Sequence, residues 1–212
     1  MRDFKNFITT MTKFCKVVLA LVCLYTTASA QTKNTNEFGV QIGLNAATVN
    51  ADGMTNSNYR VGFNAGVSID HYFSESWSLK AKLLYDQKGW DRGYLATPED
   101  TYYTNYRLNY LTIPVLANWH FGRTKNWYLN FGPYTSILLS ASETEGGMDL
   151  KPFMSGAEFG LDLGIGVKIP ASDKLKFFIE LNGQGGITDV FKDNTGSAIR
   201  STVSSINVGI NF

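Results

Sequence analysis

Cysteine is nearly absent from this sequence. The 212 residues contain two cysteines, Cys15 and Cys23, and both lie in the first 30 residues. Once that segment is removed, the remaining chain can form neither a disulfide bond nor a thiolate metal site. A cysteine nucleophile is excluded for the same reason.

An apolar run long enough for a membrane-spanning helix is also missing. The N-terminal run at 17–25 is shorter than the roughly 20 residues that such a helix needs. It follows four basic residues and precedes Ala28 and Ala30, small residues that lie directly before Gln31. This arrangement predicts a signal peptide at 1–30, cleaved after Ala30. Acylation of Cys23 is the weaker alternative, because no small residue stands where a lipoprotein leader would be cut.

The chain has no strong excess of charge of either sign. Without residues 1–30 it carries fifteen basic and seventeen acidic residues, a net charge of about −2. This balance gives no support to nucleic-acid binding. Because no linker or low-complexity tract divides the remaining 182 residues, we expect a short periplasmic segment at 31–36 and one domain at 37–212.

A helical apolar period is absent after residue 30, and strict alternation of apolar and polar residues takes its place. Phe159 and Leu161, for example, alternate with Gly160 and Asp162. Eight segments share this pattern, at 38–45, 61–70, 77–86, about 106–121, from 127 onward, 157–169, 175–184 and 205–212. The pattern predicts an all-β chain of eight amphipathic antiparallel strands.

The connections between these segments alternate in length. Tight turns follow the even-numbered strands, at 74–76, 122–126 and 171–174, whereas long polar links follow the odd-numbered ones, at 50–58, 88–105, 140–155 and 189–202. Short periplasmic turns and long outer loops are typical of a transmembrane β-barrel. We therefore predict an eight-stranded antiparallel up-and-down barrel in the outer membrane, with both chain ends in the periplasm.

Alternation alone is equally compatible with a soluble barrel whose apolar face points inward. Side-chain size favours the opposite arrangement, because the polar face is rich in glycine and the apolar face is bulky. Eight strands leave an interior only just wide enough for side chains. Aromatic residues at strand ends agree with an interfacial girdle beside the short turns, formed by Trp77, Trp119, Phe121 and Trp127, with Tyr85 and Trp90 toward the other rim.

Several motifs resemble those of the Bacteroidetes outer-membrane barrel family that is described as porin-like or PorT-like. They are the segments at 39–45, 62–66, 83–89, 110–114 and 132–134, and the similarity extends over 37–212. The resemblance implies an outer-membrane barrel, accounts for Pro114 and Pro133 within strands, and carries no catalytic residues. It also implies that the terminal Phe212 is an assembly signal for the barrel assembly machinery.

The predicted lumen face carries charges of both signs, namely Asp70, Lys80, Lys82, Asp86, Glu158, Asp162, Lys168 and Glu180. We expect these groups to neutralise one another and fill the barrel, because unpaired charges away from water are costly. The alternative is a narrow conduit whose selectivity they tune. The glycines of this face likewise admit two interpretations, relief of crowding or a cavity.

Neither an active site nor a cofactor site is indicated. The two histidines, His71 and His120, lie on opposite-facing positions near the predicted turns, which disfavours a shared metal or a catalytic base. The aromatic and charged link at 88–105 is a candidate surface for an extracellular ligand, with an aromatic belt at the membrane rim as the alternative. Apart from the ligand, the expected partners are outer-membrane lipid and the assembly machinery.

Two functional hypotheses follow from the residues and one from the resemblance. The first is a non-enzymatic structural or interaction barrel with a filled lumen. The second is a narrow passive channel for small solutes. The third, implied by the PorT-like resemblance, is an accessory part in protein export.

Overall fold

The computed structural model describes residues 34–50, 57–96 and 101–212, with the side chains of 94–96 and 101 left aside. The predicted signal peptide and its cleavage site lie outside these residues. The described chain forms eight strands: β1 (Thr35–Asn50), β2 (Asn58–Tyr72), β3 (Trp77–Ala96), β4 (Thr101–Phe121), β5 (Trp127–Glu143), β6 (Ala157–Pro170), β7 (Lys176–Gly186) and β8 (Arg200–Asn211). A single 3₁₀ turn, Lys151–Phe153, precedes β6.

Each strand pairs antiparallel with its neighbour along the chain, and β1 pairs with β8 to close the barrel. The closure reaches the last residue, because Phe38 and Phe212 exchange backbone hydrogen bonds of 2.9 and 2.8 Å. Closure removes the exposed edges that an open sheet would present. The predicted eight-stranded up-and-down architecture is confirmed. Within the described residues, no helix is long and apolar enough to cross a membrane.

The apolar face of the barrel points outward, as the glycine distribution predicted. On β6 the outward side chains Phe159 and Leu161 are 55% and 60% exposed, while the alternate residues Glu158 and Asp162 are buried. A soluble protein would bury such a continuous apolar surface. This inside-out arrangement is that of a barrel surrounded by lipid.

The two ends of the barrel differ. One end, here called the turn end, carries the tight connections 73–76, 122–126 and 171–175 and both the start of β1 and the end of β8. The other, the loop end, carries the connections 144–156 and 187–199 and the longer parts of β3 and β4. β1 begins at Thr35, so the last two residues of the predicted segment 31–36 belong to the strand.

The segment 88–105 is not the long loop that the sequence suggested. β3 and β4 continue through it as a paired hairpin up to Ala96 and Thr101. A register shift between Trp90 and Gly93, with Arg92 at a positive φ of 55°, interrupts the alternation without ending the pairing. Because the residue period fails at such a bulge, the strands looked shorter than they are.

The barrel wall has unequal height at the loop end. Pairing between β6 and β7 stops at Gly160 and Gly186, whereas the β3–β4 hairpin rises above its neighbours. The connections 144–156 and 187–199 fold over this low side and bind each other, since Met154 bridges Phe191 and the Ser155 amide donates to the Val190 carbonyl at 2.8 Å.

Candidate functional site

The lumen is the place where polar chemistry is concentrated. All eight charged residues predicted to line it point inward and are at most 4% exposed. The strand period puts them there, because residues two apart share one face. The structure sorts seven of them into three clusters, which follow one another from the turn end to the loop end, and Lys80 lies between the first two.

The cluster at the turn end is centred on Lys168. Its ammonium group forms an ion pair with Glu37 and lies 3.5 Å from Asp70. Glu37 also pairs with Lys176, and Asp70 accepts a hydrogen bond of 2.9 Å from the Asn118 amide. Each charge in this cluster therefore has an opposite charge or an amide beside it.

The middle cluster is built on Lys82 and Glu180, which are joined by an ion pair of 2.6 Å. The second carboxylate oxygen of Glu180 accepts from the Asn130 amide at 2.8 Å. Asp162 lies beside this pair and accepts hydrogen bonds from Asn182 and Gln184, at 2.6 and 3.1 Å. Both carboxylates are thus satisfied within the lumen.

The cluster nearest the loop end joins Lys88 to two carboxylates. The Lys88 ammonium lies 2.8 Å from Glu158 and 3.8 Å from Asp86. Tyr134 donates its hydroxyl to Glu158 at 2.6 Å, and Asp86 accepts from Asn45 at 2.7 Å. The result is a ring of polar contacts across the barrel.

Aromatic rings fill the space beside the lysines. The Lys88 ammonium lies 4.7 Å from the centre of the Tyr134 ring, and that of Lys80 lies 4.9 Å from the Tyr128 ring and 5.6 Å from the Phe178 ring. Such cation–π contacts are strongest where water is excluded. They hold Lys80 in a position between the turn-end and middle clusters.

The inward glycines make room for these rings. A methyl group on Gly160 would come within 2.6 Å of the Tyr134 ring, and one on Gly209 within 2.6 Å of the Phe178 ring. Of the two interpretations of the glycines, the structure therefore favours relief of crowding at these positions. The polar cavity found between the middle and loop-end clusters has a volume of about 10 Å³, enough for about one water molecule.

An apolar cluster covers the lumen at the loop end, and we call it the lid. Trp90 and Tyr106 stack at 4.2 Å between ring centres, and Phe191 meets the Trp90 ring edge-on at 6.0 Å. The connections supply the buried residues Leu150, Met154 and Val190, and the strands supply Val49, Leu108, Tyr110, Leu138 and Ala141. Trp90 is 1% exposed, so the expectation that it belongs to a lipid-facing rim was wrong.

A carboxylate anchors the connection 144–156 above the lid. Glu143 accepts hydrogen bonds from the Thr104 hydroxyl at 2.6 Å and from the amides of Gly146 and Met148 at 2.8 and 2.9 Å. It lies four residues beyond Leu139, the last apolar outward residue of β5, and is therefore outside the membrane-spanning part. Burial raises the pKa of Glu143, but these hydrogen bonds outweigh it and hold the pKa below its usual range.

The predicted aromatics beside the short turns lie together at the turn end. Trp77 and Trp119 stack at 6.3 Å and are 38% and 41% exposed, and Phe121 lies 5.0 Å from Trp119. Trp127 pairs with Phe121 across β4 and β5. Phe212, the predicted assembly signal, is exposed beside Phe38, and its role in assembly stays a prediction.

Three members of the lumen network were missed at the level of sequence. Glu37 and Lys88 stand at alternate positions in line with the inward residues of β1 and β3. The predicted strand 38–45 began one residue after Glu37, and the predicted strand 77–86 ended two residues before Lys88. Lys176 was seen as polar without being assigned a partner. The two histidines face opposite ways, with His120 buried against Ser78 and His71 exposed. Among the described residues, no three His, Cys, Asp or Glu side chains gather as metal ligands.

Comparison with known proteins agrees with this geometry. The Neisserial surface protein A has a TM-score of 0.50 and 21% identity, over 82% of this chain and 97% of that one. The outer membrane protein OprG from Pseudomonas aeruginosa has a TM-score of 0.52 and 11% identity, over 86% and 98%. At such identities the similarity establishes the fold alone. No curated protein sequence matches the chain.

A family model identifies the protein family, which these structures at low identity do not. The model described as the outer membrane protein beta-barrel domain matches residues 29–192. The match covers β1 to β7, the connection 144–156 and the first part of the connection 187–199. The apolar exterior, the closed eight-stranded sheet and the polar lumen are all features of that class. The chain belongs to the outer membrane protein beta-barrel family.

Proposed function

We propose that this protein is a non-enzymatic structural or interaction barrel of the outer membrane whose lumen does not conduct. The lumen carries the proposal, because its charges are tied together in three clusters and the cavity between two of them measures about 10 Å³. The lid adds a second, apolar obstruction at the loop end. Groups held in this way are not available as a nucleophile and base.

We infer further that the turn end faces the periplasm and the loop end faces the outside. Short periplasmic turns and longer outer loops support this orientation. The β3–β4 hairpin then projects outward with Arg92 over the Tyr103 ring at 5.9 Å, a pairing suited to a binding surface. The orientation can be tested by labelling introduced cysteines on intact cells. Since the sequence has no cysteine after residue 30, Lys192→Cys should react with a membrane-impermeant maleimide on intact cells, whereas Lys174→Cys should react only after the membrane is opened.

Single-channel recording in planar bilayers tests the filled lumen. The refolded protein is expected to insert without producing a stepwise current, and a general porin serves as the positive control. Insertion is verified separately by the shift in gel migration on heating. A reproducible current that Lys82→Gln or Glu180→Gln alters would instead support the narrow-channel hypothesis.

The finer resemblance to the Bacteroidetes PorT-like barrels supports a role in export only as a second candidate. The motif at 110–114 is one basis of that resemblance. Its Pro114 lies inside β4, where it pairs with Tyr134 of β5. Deletion of the gene followed by analysis of the secreted proteins is the direct test. Loss of export that the intact gene restores would place the export role above the purely structural one.

A further inference from the structure

On the low side of the barrel, exposed apolar residues lie near the loop-end limits of β5 and β6 and directly after β7. The Ile187 amide donates to the Phe159 carbonyl at 2.8 Å, which places Ile187 directly at the upper end of β6. Ile187 is 59% exposed and Phe159 is 55% exposed, and Leu139, four residues beyond the β5 partner of Phe159, is 42% exposed. The apolar exterior therefore continues onto the base of the loops on this side.

Two cations are hydrogen-bonded to the backbone of two of these residues. The Lys151 ammonium donates to the Leu139 carbonyl at 2.9 Å, and the Arg200 guanidinium donates to the Ile187 carbonyl at 3.0 Å. Both side chains are exposed. Leu139 belongs to β5 and Ile187 follows β7, so the two cations are bonded on either side of β6, the strand that carries Phe159. Leu139, Phe159, Ile187, Lys151 and Arg200 together are called the rim patch.

The acidic residues of the two connections are engaged with their own backbone. Asp149 accepts from the Lys151 amide at 2.9 Å, and Asp189 accepts from the Phe191 amide at 3.0 Å and from the Asn194 side chain at 2.7 Å. Neither makes an ion pair with Lys151 or Arg200 within the described part of the chain. The two cations of the rim patch thus retain hydrogen-bonding capacity toward a ligand.

We propose that the rim patch binds a phosphorylated glycolipid of the outer leaflet, with acyl chains on the apolar residues and phosphate groups on Lys151 and Arg200. Long basic side chains that lie along an apolar surface and end at its border are suited to the level of lipid headgroups. Anionic headgroups attract such cations. The inference rests on the proposed orientation, because the loop end must face the leaflet that contains the glycolipid.

Native mass spectrometry can test the proposal on the full mature chain. The protein is released from phosphatidylcholine nanodiscs containing graded amounts of lipopolysaccharide, and the bound fraction is measured. The double variant Lys151→Gln/Arg200→Gln is expected to lower the apparent affinity by about tenfold or more, since each cation near a lipid surface contributes appreciably. The matched control Arg123→Gln/Lys174→Gln removes the same two charge types from exposed residues at the turn end and is expected to leave binding unchanged.

Three results would overturn the proposal. Equal binding by the wild type and the rim-patch variant would show that the two cations do not contact the glycolipid. Equal losses in the two double variants would mean that total charge, and not position, governs binding. Competition by phosphatidylglycerol as effective as that of lipopolysaccharide would replace the glycolipid by any anionic lipid. None of these results depends on conductance, so the lumen hypothesis is judged separately.

Discussion

The pair formed by Lys82 and Glu180 illustrates what keeps a charged barrel interior stable. Both side chains are at most 2% exposed, and each has the other within 2.6 Å. A buried ion pair adds little net stability over an apolar pair, but removal of one partner leaves an uncompensated charge. The lumen charges are therefore interdependent.

The substitution Glu180→Gln is expected to lower the free energy of unfolding by about 3–5 kcal/mol, because Lys82 loses its counter-charge. The double variant Lys82→Met/Glu180→Leu should recover most of that loss. Urea unfolding in lipid vesicles, followed by tryptophan emission, measures both. Lys174→Gln, at an exposed residue, is the control. If the double variant were no more stable than the single one, the pair would not be the cause.

Crowding at the inward glycines gives a second residue-scale prediction. A methyl group on Gly166 would overlap the Tyr128 ring and lie 2.8 Å from the Ile179 carbonyl, whereas one on Gly185 would meet no atom within 4 Å. Gly166→Ala should therefore cost about 1–3 kcal/mol of overpacking, and Gly185→Ala should cost nothing. The same unfolding assay applies, and equal effects at the two sites would contradict the packing interpretation.

At the scale of elements, the number and pairing of the strands could be predicted from alternation together with the lengths of the connections. The period of two separates the residues of β6 into two faces, and the glycines of the polar face indicate that the apolar one points outward. The period fails where a register shift occurs, as between Trp90 and Gly93. It also fails for the lid, because Leu150, Met154 and Val190 lie in segments with no period, and their burial depends on contacts between two distant connections.

The lid should behave as one unit, because its two connections are bonded to each other. Val190 is 1% exposed, so Val190→Asp would place a charge inside the apolar cluster. Hydrogen exchange is expected to increase in both 149–156 and 187–199, with the strands unchanged. Thr195→Asp, at an exposed residue of the same connection, should alter neither region. An increase confined to 187–199 would argue against coupling.

Acidification should loosen the connection that Glu143 anchors. The pKa of this carboxyl is lowered in the folded protein, so its contribution is complete above its usual pKa of 4.5 and is lost as the pH falls through the lowered value. The amide chemical shifts of Gly146 and Met148 should therefore stay constant above pH 4.5 and change as the pH is lowered below it. In Glu143→Gln both amides should lack this transition. If the transition persisted in that variant, it would belong to a different titrating group.

At the scale of the whole molecule, two barriers lie in series along the barrel axis. The lid lies at the loop end, and the ion-paired clusters lie beneath it. The sequence predicted the second barrier from mixed charge in a narrow lumen. It gave no indication of the first, because apolar residues in long connections do not reveal whether they turn inward.

Removal of the lid residues that the connection 144–156 supplies is therefore expected to leave the barrel closed. A variant in which 144–155 is replaced by a short glycine–serine link should insert into planar bilayers without conducting, because the ion pairs below are untouched. The paired lysines and carboxylates still fill the lumen, where the cavity between two clusters measures about 10 Å³. A stepwise current from this variant would show that the lid was the sole barrier.

The four tryptophans lie in two different environments. Trp77, Trp119 and Trp127 are at the outer surface near the turn end, whereas Trp90 is enclosed within the lid. Lipids carrying bromine quench indole fluorescence on contact. They should therefore quench the emission of the three outer tryptophans and leave that of Trp90 unchanged. The residual emission of the purified protein in such bilayers would then be an intrinsic optical signal of lid opening, with no dye attached to the protein.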